Sequence, residues 1–236
     1  MNKLPILTIQ DLKFGWLKSQ PLTIEIDHLS INKGDKVFLK GPSGCGKSTL
    51  LGLMTGINQP YSGTISMLGK ELTALKGSQK DHFRADHLGY IFQQFNLLPY
   101  LSVIENVTLP CFFSKARKDK ALASSGSLEQ EAKRLLSHLE IPNKLIHRQV
   151  TELSIGQQQR VAAARALIGK PEFIIADEPT SSLDTDARES FIKLLFNECV
   201  ETDISLIFVS HDASLQGLFD HQIDLPTLNK ATQTGA

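Results

Sequence analysis

The stretch at residues 41–49 reads GPSGCGKST, and it limits what this chain can fold into more than any other segment. It follows an apolar run at residues 37–39 that predicts a buried strand, and it precedes a helical run that begins near Ser48. In the spacing G-x-x-x-x-G-K-[ST], glycines let the backbone curl so that successive N–H groups face inward, and the helix N-terminus adds partial positive charge. The stretch therefore predicts a phosphate-binding loop between a strand and a helix.

Side chains within this loop match the needs of a nucleotide that carries Mg²⁺. Lys47 is placed to reach the β- and γ-phosphates, and the Ser48 hydroxyl suits Mg²⁺, which prefers oxygen ligands. Thr49 is expected beside the α-phosphate. The whole loop is predicted to bind nucleotide, through Gly41, Pro42, Ser43, Gly44, Cys45, Gly46, Lys47, Ser48 and Thr49.

Composition argues against several other classes of protein. The 236 residues carry 25 Lys and Arg against 25 Asp and Glu, so no basic excess suggests nucleic acid as a partner. No apolar run approaches the roughly 20 residues that span a bilayer. We therefore expect a soluble chain that reaches a membrane only through another subunit. Three widely spaced cysteines without a CxxC pattern fit a reducing cytosol.

Hydrophobic patterns predict an α/β fold. Residues 6–31 form short alternating strands and residues 64–69 return as a further strand, which together indicate an N-terminal antiparallel sheet. Continuous apolar runs at residues 88–92, 173–176 and 204–209 are typical of strands that are buried in a parallel sheet.

The middle of the chain differs in character and predicts a helical insertion. Ser102, followed three residues later by Glu105, forms a capping box at a helix start. Residues 128–139 have helical spacing. Residues 115–127 are charged and then rich in Ser and Gly, and this composition predicts a mobile connection.

A chain of this length has room for one large domain or two small ones, and we expect a single α/β domain over residues 1–236. Its antiparallel β subdomain is expected to comprise about residues 1–35 and 60–72. The helical subdomain is expected at about residues 94–168, and the parallel-sheet core takes the remainder.

Polar side chains follow the predicted parallel strands, at the ends where ligand sites of such sheets gather. Gln93 is placed to coordinate Mg²⁺ or orient water, and Asp177 to bind Mg²⁺ through water. Glu178 can polarise the attacking water as general base, and His211 can hydrogen-bond the γ-phosphate. The functional interpretation of these residues depends on the phosphate-binding loop, because without it each would be interpreted as an ordinary surface group. The other six histidines lack this context, and we expect them to be solvated.

Two further features each admit two interpretations. Trp16, the only tryptophan, either stacks on a purine ring or caps the N-terminal sheet. Ser154 is a good N-cap for the alanine-rich helix behind it. The start of that helix, with the Ser154 hydroxyl and the Gly156 N–H, is either a second anion site or an ordinary capped helix.

Taken together, these motifs resemble the full set of an ABC-type ATPase. They occur in the family's order, as the Walker A loop at residues 41–49, Gln93, residues 153–157 (LSIGQ), Asp177, Glu178, residues 182–184 and His211. The resemblance adds Gln157 and Asp184 to the nucleotide-binding residues. It also favours adenine stacking for Trp16, where the family usually has Tyr. Residues 92–107 are similar to the ATPases of lipoprotein-release, macrolide-export and cell-division complexes.

The resemblance implies ATP and Mg²⁺ as cofactors and a head-to-tail dimer of two copies. Each ATP would lie between the loop of one copy and the Ser154 helix of the other. Ser48, Gln93 and Asp177 would surround Mg²⁺. The catalytic residues would be Lys47, Gln93, Glu178 and His211.

The narrower resemblance implies a partner and a location. Hydrolysis would power an integral membrane permease that docks near residues 93–107, where exposed apolar side chains supply anchors, namely Phe95, Leu97, Leu98 and Tyr100. The protein would be cytoplasmic and peripheral on the inner face of the membrane. The complex would act on lipids, lipoproteins or toxic compounds, and no nucleic acid is expected as a partner.

Other functions remain open on the sequence. One is a soluble ABC-type ATPase of translation or DNA maintenance, although such proteins resemble fused pairs of ATPase domains with linkers or coiled coils. Another is the ATPase of an ABC importer. A small-molecule kinase is disfavoured, because Glu178 and His211 suit attack by water.

Two residues depart from the family pattern. Ile155 stands where the family usually has Gly, and a β-branched residue rarely adopts a left-handed backbone. We therefore expect a right-handed or extended backbone at Ile155. Cys45 replaces a residue that is often Ser, which changes thiol sensitivity more than phosphate geometry.

Overall fold

The computed structural model of this chain describes residues 4–232. These residues divide into two compact units. The first contains the described residues up to Asp81 and from Ile207 onward, and the second is His82–Leu206.

The strands and helices of the described residues follow the chain in this order. The strands are β1 (Pro5–Phe14), β2 (Ile24–Asn32), β3 (Lys36–Lys40), β4 (Ser62–Met67), β5 (Lys70–Glu71), β6 (Leu88–Ile91), β7 (Phe173–Asp177), β8 (Ser205–Val209) and β9 (His221–Asp224). The α-helices are α1 (Lys47–Met54), α2 (Gly77–His87), α3 (Val103–Thr108), α4 (Pro110–Phe113), α5 (Lys115–Ser125), α6 (Leu128–His138), α7 (Ile155–Leu167), α8 (Thr185–Thr202) and α9 (Leu225–Leu228). None of these helices combines the length and the apolar character that crossing a membrane requires.

The first unit contains an antiparallel sheet with the strand order β2-β1-β4-β5. Ile9 of β1 lies opposite Leu29 of β2 and Ile65 of β4. All three side chains are buried. The alternation of apolar and polar residues thus places one face of the sheet in a core, and the predicted N-terminal antiparallel sheet is confirmed.

Parallel pairing also occurs in the first unit, where β3 pairs with β9 from Val37 opposite His221 onward. The Phe38 ring of β3 packs against Phe208, with ring centroids 6.4 Å apart, and against Phe219, at 5.2 Å. β9 was not predicted, because its sequence HQID is polar and mostly exposed.

The second unit contains the parallel pair β6 and β7, in which Gly89 lies opposite Ile174. The four apolar residues of β7 are completely buried, as the continuous run predicted. A Cβ atom on Gly89 would lie 2.5 Å from the carbonyl oxygen of Ala166, so only glycine permits α7 to approach β6 this closely. The boundary between the two units falls within β8, which begins in the second unit and ends in the first unit.

The expected mobile connection at residues 115–127 is wrong. Most of this segment is the helix α5, and Ser114 caps it by accepting a hydrogen bond from the backbone N–H of Arg117 at 3.0 Å. The helix ends at Gly126, which has the left-handed conformation common at helix C-termini. The Ser and Gly residues that suggested a loop are therefore its C-terminal end.

Arg117 helps to hold this polar helix in place. The residue is 3% exposed, and its guanidinium donates hydrogen bonds to backbone carbonyls near the end of α7 and on β6, namely Ile168, Ala166 and Leu88, at 2.8, 2.7 and 3.2 Å. Burial lowers the pKa of Arg117 to about 10. A buried arginine so fully paired stabilises the contact between α5 and α7.

The expectation of solvated histidines is wrong for His87, which is half-buried, whereas His138 is exposed as expected. Both have a carboxylate partner. His87 Nδ1 lies 2.9 Å from a carboxylate oxygen of Glu172, and His138 Nδ1 lies 2.5 Å from one of Glu198. Each partner is 60 or more positions away along the chain, so no local pattern reveals it.

Candidate active site

The loop between β3 and α1 curls where its glycines predict. Gly44 has a φ of 81° and Gly46 a φ of 100°, in the left-handed region that favours glycine. Gly46 is the N-cap of α1, and within residues 4–232 no side chain caps this helix. Because the first N–H groups of a helix have no intrahelical acceptor, this end of α1 suits an anionic ligand.

Lys47 lies over the backbone of the same loop. Its Nζ donates hydrogen bonds to the carbonyl oxygens of Gly41 at 2.8 Å and Pro42 at 3.1 Å, and the residue is only 9% exposed. Ser48, the next residue, is exposed on the first turn of α1. A cation and a hydroxyl are thus presented beside the helix N-terminus, as phosphate and a hydrated metal require.

Trp16 lies in the first unit with most of its surface in solvent. It is 62% exposed, and its ring makes an edge contact with Phe14, with centroids 5.2 Å apart and planes at 81°. One edge of the indole is anchored while much of the ring is open. This arrangement is what stacking on a flat ring requires.

His211 also lies in the first unit, just after β8, and is exposed. Its neighbours fix the backbone around it, because the Asp212 N–H donates to the Ser210 hydroxyl at 3.1 Å and the Asp212 carboxylate caps the 3₁₀ helix Ala213–Leu218. His211, the residue predicted to contact the γ-phosphate, therefore lies in a loop whose backbone is held by hydrogen bonds.

The two predicted carboxylates lie in the second unit at the exit of β7. Asp177 is the last residue of that strand, and Glu178 follows with a φ of 46°. A left-handed backbone costs an ordinary residue about 1 kcal/mol, and such strain concentrates at functional sites. The sequence does not reveal this conformation, which turns the chain sharply between the two acids.

Tyr90 of β6 contacts the first of these acids. Its Oη lies 3.5 Å from Oδ2 of Asp177. Burial, and then the negative charge of Asp177, raise the pKa of Tyr90 well above its usual value, so the hydroxyl keeps its proton and acts as donor. No sequence motif pointed to Tyr90.

Gln93 is exposed, in the turn that follows β6. Two residues of this turn, Phe95 and Asn96, have φ values of 59° and 47°. Arg165 of α7 holds the turn by donating to their carbonyl oxygens at 2.5 and 2.7 Å. Burial lowers the pKa of Arg165. Sequence reasoning missed this arginine, because its acceptors are about 70 positions away.

The apolar side chains expected to be exposed after Gln93 are only partly so. Phe95 is 8% exposed, and the expectation that it is an exposed anchor is wrong because its left-handed backbone directs the ring into the core. Leu97 and Leu98 are half-buried, whereas Tyr100 is 71% exposed.

The helix start predicted at Ser102 is confirmed. Glu105 accepts a hydrogen bond from the Ser102 N–H at 2.8 Å, and the Ser102 hydroxyl accepts one from the Glu105 N–H at 3.4 Å. The Ser102 hydroxyl also donates a hydrogen bond to the Glu105 carboxylate, at 2.6 Å, and this bond together with the one from the Ser102 N–H holds the pKa of Glu105 below its usual value. Buried Asn106 then ties the preceding loop to α3 through the backbone N–H and carbonyl of Leu98.

The helix α7 begins immediately after Ser154, which is its N-cap as predicted. The Ser154 hydroxyl accepts a hydrogen bond from the Gln157 N–H at 3.3 Å, and the Gln157 side chain accepts one from the Ser154 N–H at 3.0 Å. Ile155 is helical and has no positive φ, so the expectation for its backbone is confirmed. A Cβ atom on Gly156 would lie 3.7 Å from Leu183, an ordinary contact.

Asp184 has a structural partner of its own. It is the N-cap of α8, and its carboxylate accepts a hydrogen bond from the Ala187 N–H at 2.9 Å. This residue stabilises the helix start whether or not it contacts nucleotide.

An apolar cavity of about 480 Å³ opens in the second unit beside β6. Its lining includes Tyr90, Phe92, Leu109, Pro110, Phe113 and Arg165. Phe112 and Phe113 of α4 are 73% and 71% exposed. Exposed aromatic rings next to an apolar cavity are typical of a surface that binds another protein.

These features define a P-loop ATPase of the ABC class. The model of the ABC transporter family matches residues 24–181, and this chain belongs to that family. It therefore binds and hydrolyses ATP, the activity that powers this family.

Individual relatives narrow the comparison. The lipoprotein-releasing system ATP-binding protein LolD of Shewanella denitrificans is 37% identical over 198 residues, which cover 84% of this chain and 82% of that protein. The ABC transporter ATP-binding protein YbbA of Escherichia coli K12 is 38% identical over 197 residues, covering 84% and 83%. Among solved structures, the post-hydrolysis dimer of the ATP-binding cassette MJ0796 with ADP and Pi has a TM-score of 0.81 at 31% identity, covering 95% of both chains.

Proposed function

We propose that this chain is the ATP-hydrolysing subunit of a membrane complex that extracts or exports envelope lipids or lipoproteins by mechanical transmission. The observation that carries the ATPase part is the junction at Gly46, where a glycine N-cap leaves the start of α1 to a ligand and Lys47 lies alongside. Similarity to LolD, a component of a lipoprotein-releasing system, supports the lipoprotein class.

The residues present fit a nucleotide with Mg²⁺. The predicted metal ligands, Ser48, Gln93 and Asp177, all offer oxygen atoms, which is the donor set that Mg²⁺ prefers. When bound, the metal neutralises charge on the phosphate oxygens. The glycine-capped end of α1 suits the phosphates, and the exposed ring of Trp16 suits the adenine.

Each catalytic side chain has one task in hydrolysis. Glu178 accepts a proton from the attacking water as the water oxygen forms a bond to the γ-phosphorus. The bond between that phosphorus and the oxygen bridging it to the β-phosphate breaks, so that ADP leaves and phosphate is formed. Lys47 and His211 hydrogen-bond the γ-phosphate oxygens and stabilise the charge there. Gln93 orients the water. The strained backbone at Glu178 sets the direction in which its side chain leaves the main chain.

We further propose that two copies pair head to tail. The Ser154 hydroxyl accepts a hydrogen bond from Gln157, so its own proton is free to be donated to a phosphate of the other copy. Gly156 lacks a side chain although Leu183 would tolerate one at 3.7 Å, which leaves room for a partner to approach. Gln157 and Asp184 complete this edge. The dimeric state of the similar cassette MJ0796 supports the pairing.

The membrane partner is proposed to be a permease subunit on whose cytoplasmic side this chain sits. Its docking segment would contact residues 93–107 together with α4. Tyr100, Phe112 and Phe113 supply exposed aromatic anchors there, and the cavity beside β6 can receive an apolar side chain.

Replacement of Glu178 by Gln tests the catalytic assignment. We expect ATP binding to remain and hydrolysis to fall about 100-fold or more, because general base catalysis is worth that much. The variant should accumulate as an ATP-bound dimer in size-exclusion chromatography with light scattering. Glu189→Gln, on the exposed face of α8, is the matched control and should behave as wild type.

Two results would contradict the proposal. Turnover by Glu178→Gln at the wild-type rate would contradict the assignment of Glu178 as general base. Hydrolysis at full rate by a strict monomer would contradict the requirement for a dimer. Purification of the native complex from membranes, followed by mass spectrometry of its second subunit, tests the permease.

A further inference from the structure

Tyr90 connects the apolar cavity with a predicted metal ligand. In the parallel pair of β6 and β7 it lies opposite Ile175, and Asp177 is two residues further along β7. Residues two apart on a strand share a face, so Asp177 lies diagonally from Tyr90 on the same side of the sheet. The tyrosine side chain is long enough to bridge this diagonal, and its Oη lies 3.5 Å from Asp177 Oδ2.

The ring of Tyr90 is held from its other side. It stacks on Phe92, with centroids 4.2 Å apart and planes at 27°. Leu88, Tyr90 and Phe92 follow the two-residue period of a strand, and all three line the cavity. The same side chain therefore forms part of the cavity wall with its ring and reaches Asp177 with its hydroxyl.

We propose that Tyr90 is a positioning residue for Asp177. Its O–H donates to Oδ2, which restricts rotation of the carboxylate that is proposed to hold the hydrated metal of the bound nucleotide. This inference rests on the metal role of Asp177 in the proposed function.

The contact between Tyr90 and Asp177 also links the wall of the cavity to the predicted metal site. A hydroxyl–carboxylate hydrogen bond is strongest near 2.7 Å, so the contact at 3.5 Å is weak in this form of the protein. A movement of the ring by less than about 1 Å would bring it to full strength. Because the Tyr90 ring lines the cavity, a docked side chain that shifts the ring toward Asp177 would strengthen this hydrogen bond.

Replacement of Tyr90 by Phe in the full chain removes only the hydroxyl. We expect the Mg²⁺ concentration for half-maximal ATPase activity to rise about 3- to 10-fold, the loss of one hydrogen bond to a charged group. The rate at saturating Mg²⁺ should stay within about twofold. Binding of a fluorescent ATP analogue should weaken by a similar factor in Mg²⁺ and remain unchanged in EDTA.

Tyr61→Phe is the matched control, since it removes a tyrosine hydroxyl from the first unit, and it should not change the Mg²⁺ dependence. Weaker binding by Tyr90→Phe in EDTA as well as in Mg²⁺ would indicate a merely structural role and overturn the inference. An unchanged Mg²⁺ dependence would overturn it too.

A double-mutant cycle separates this inference from the proposed function. If Tyr90 acts through Asp177, the effect of Tyr90→Phe disappears when Asp177 is already Asn. If Asp177→Asn by itself leaves the Mg²⁺ dependence unchanged, the metal role of Asp177 fails. A Tyr90 effect that persists beside Asp177→Asn means that Tyr90 acts elsewhere.

Discussion

The helices α1 and α7 begin in opposite ways. The N-cap of α1 is Gly46, in a left-handed conformation and with no side-chain cap among the described residues. The N-cap of α7 is Ser154, and the capping box with Gln157 satisfies N–H groups at both positions. One helix start is open to a ligand, whereas the other is closed by its own side chains.

The difference indicates what each helix start can bind. An open start offers several N–H groups and the helix dipole together, enough to hold a phosphate within one chain. In the closed start, the capping box bonds the N–H groups of Ser154 and Gln157 within the chain, and the start offers a ligand the proton of the Ser154 hydroxyl and the backbone at Gly156. On the proposed function, α1 binds nucleotide in the monomer and α7 contributes only when a second copy arrives.

Gly46→Ala gives the largest expected effect, because it breaks the open start. At a φ of 100° the added Cβ costs about 1–2 kcal/mol and would lie 2.9 Å from Ile24 Cδ1. We expect ATP affinity to fall about 100-fold as one or two charge-assisted hydrogen bonds are lost. Fluorescence titration with an ATP analogue measures the affinity, and thermal unfolding measures the stability.

Gly69→Ala separates strain from binding. Gly69 has a φ of 73° in the turn between β4 and β5, and no atom lies within 4 Å of its Cβ position. This variant should lose a similar amount of stability and keep its ATP affinity. Equal losses of affinity in both variants would mean that the open start of α1 is not what binds phosphate.

Substitutions of Ser154 test the closed start. Ala removes both the cap and the proton donor, so we expect a loss of about 1 kcal/mol in stability and about 10-fold in ATPase activity. Asp caps a helix as well as Ser does, but it would place a negative charge beside the phosphate. Ser154→Asp should therefore unfold like wild type and lose more activity than Ser154→Ala. If activity instead followed stability in the two variants, Ser154 would be only a cap.

Local signals explain which of these features the sequence predicts. The loop glycines and the N-caps at Ser102 and Ser154 act on backbone within three residues, so their roles can be predicted from sequence spacing. The contacts of the buried arginines cannot be predicted in this way. Arg117 and Arg165 bond to carbonyl groups about 30 to 70 positions away, and a carbonyl carries no side-chain identity. The same reason hides the contact of Tyr90 with Asp177 until strand register is known.

Gly156→Ala sharpens the comparison because its two effects have opposite signs. The chain itself tolerates a Cβ atom here at 3.7 Å, and Ala in a helix is favoured over Gly by up to about 1 kcal/mol. We expect higher stability, with a lower ATPase rate and less ATP-bound dimer, because the methyl group occupies the space left for the second copy. Monomeric ATP binding should not change. Higher stability with full activity would show that nothing approaches Gly156.

The interior of α7 offers the smallest effect. Gln159 is completely buried, and among the described residues neither its Nε2 nor its Oε1 has a hydrogen-bond partner. An unsatisfied buried amide costs about 1–3 kcal/mol, so Gln159→Met, of similar volume, should stabilise the chain by about 1 kcal/mol. ATPase activity should remain within about twofold, since only the start of α7 is proposed to meet nucleotide.

Gln158→Met is the paired control, because the Gln158 Nε2 donates to the Leu153 carbonyl at 2.9 Å and the substitution removes that bond. This variant should therefore be destabilised, by about 1 kcal/mol. Opposite shifts of the unfolding temperature in adjacent variants would show that satisfied hydrogen bonds set the stability of α7, with side-chain volume a minor factor. If Gln159→Met and Gln158→Met were both destabilised, the Gln159 amide would instead have a hydrogen-bond partner, such as an ordered water, that offsets the cost of burying it.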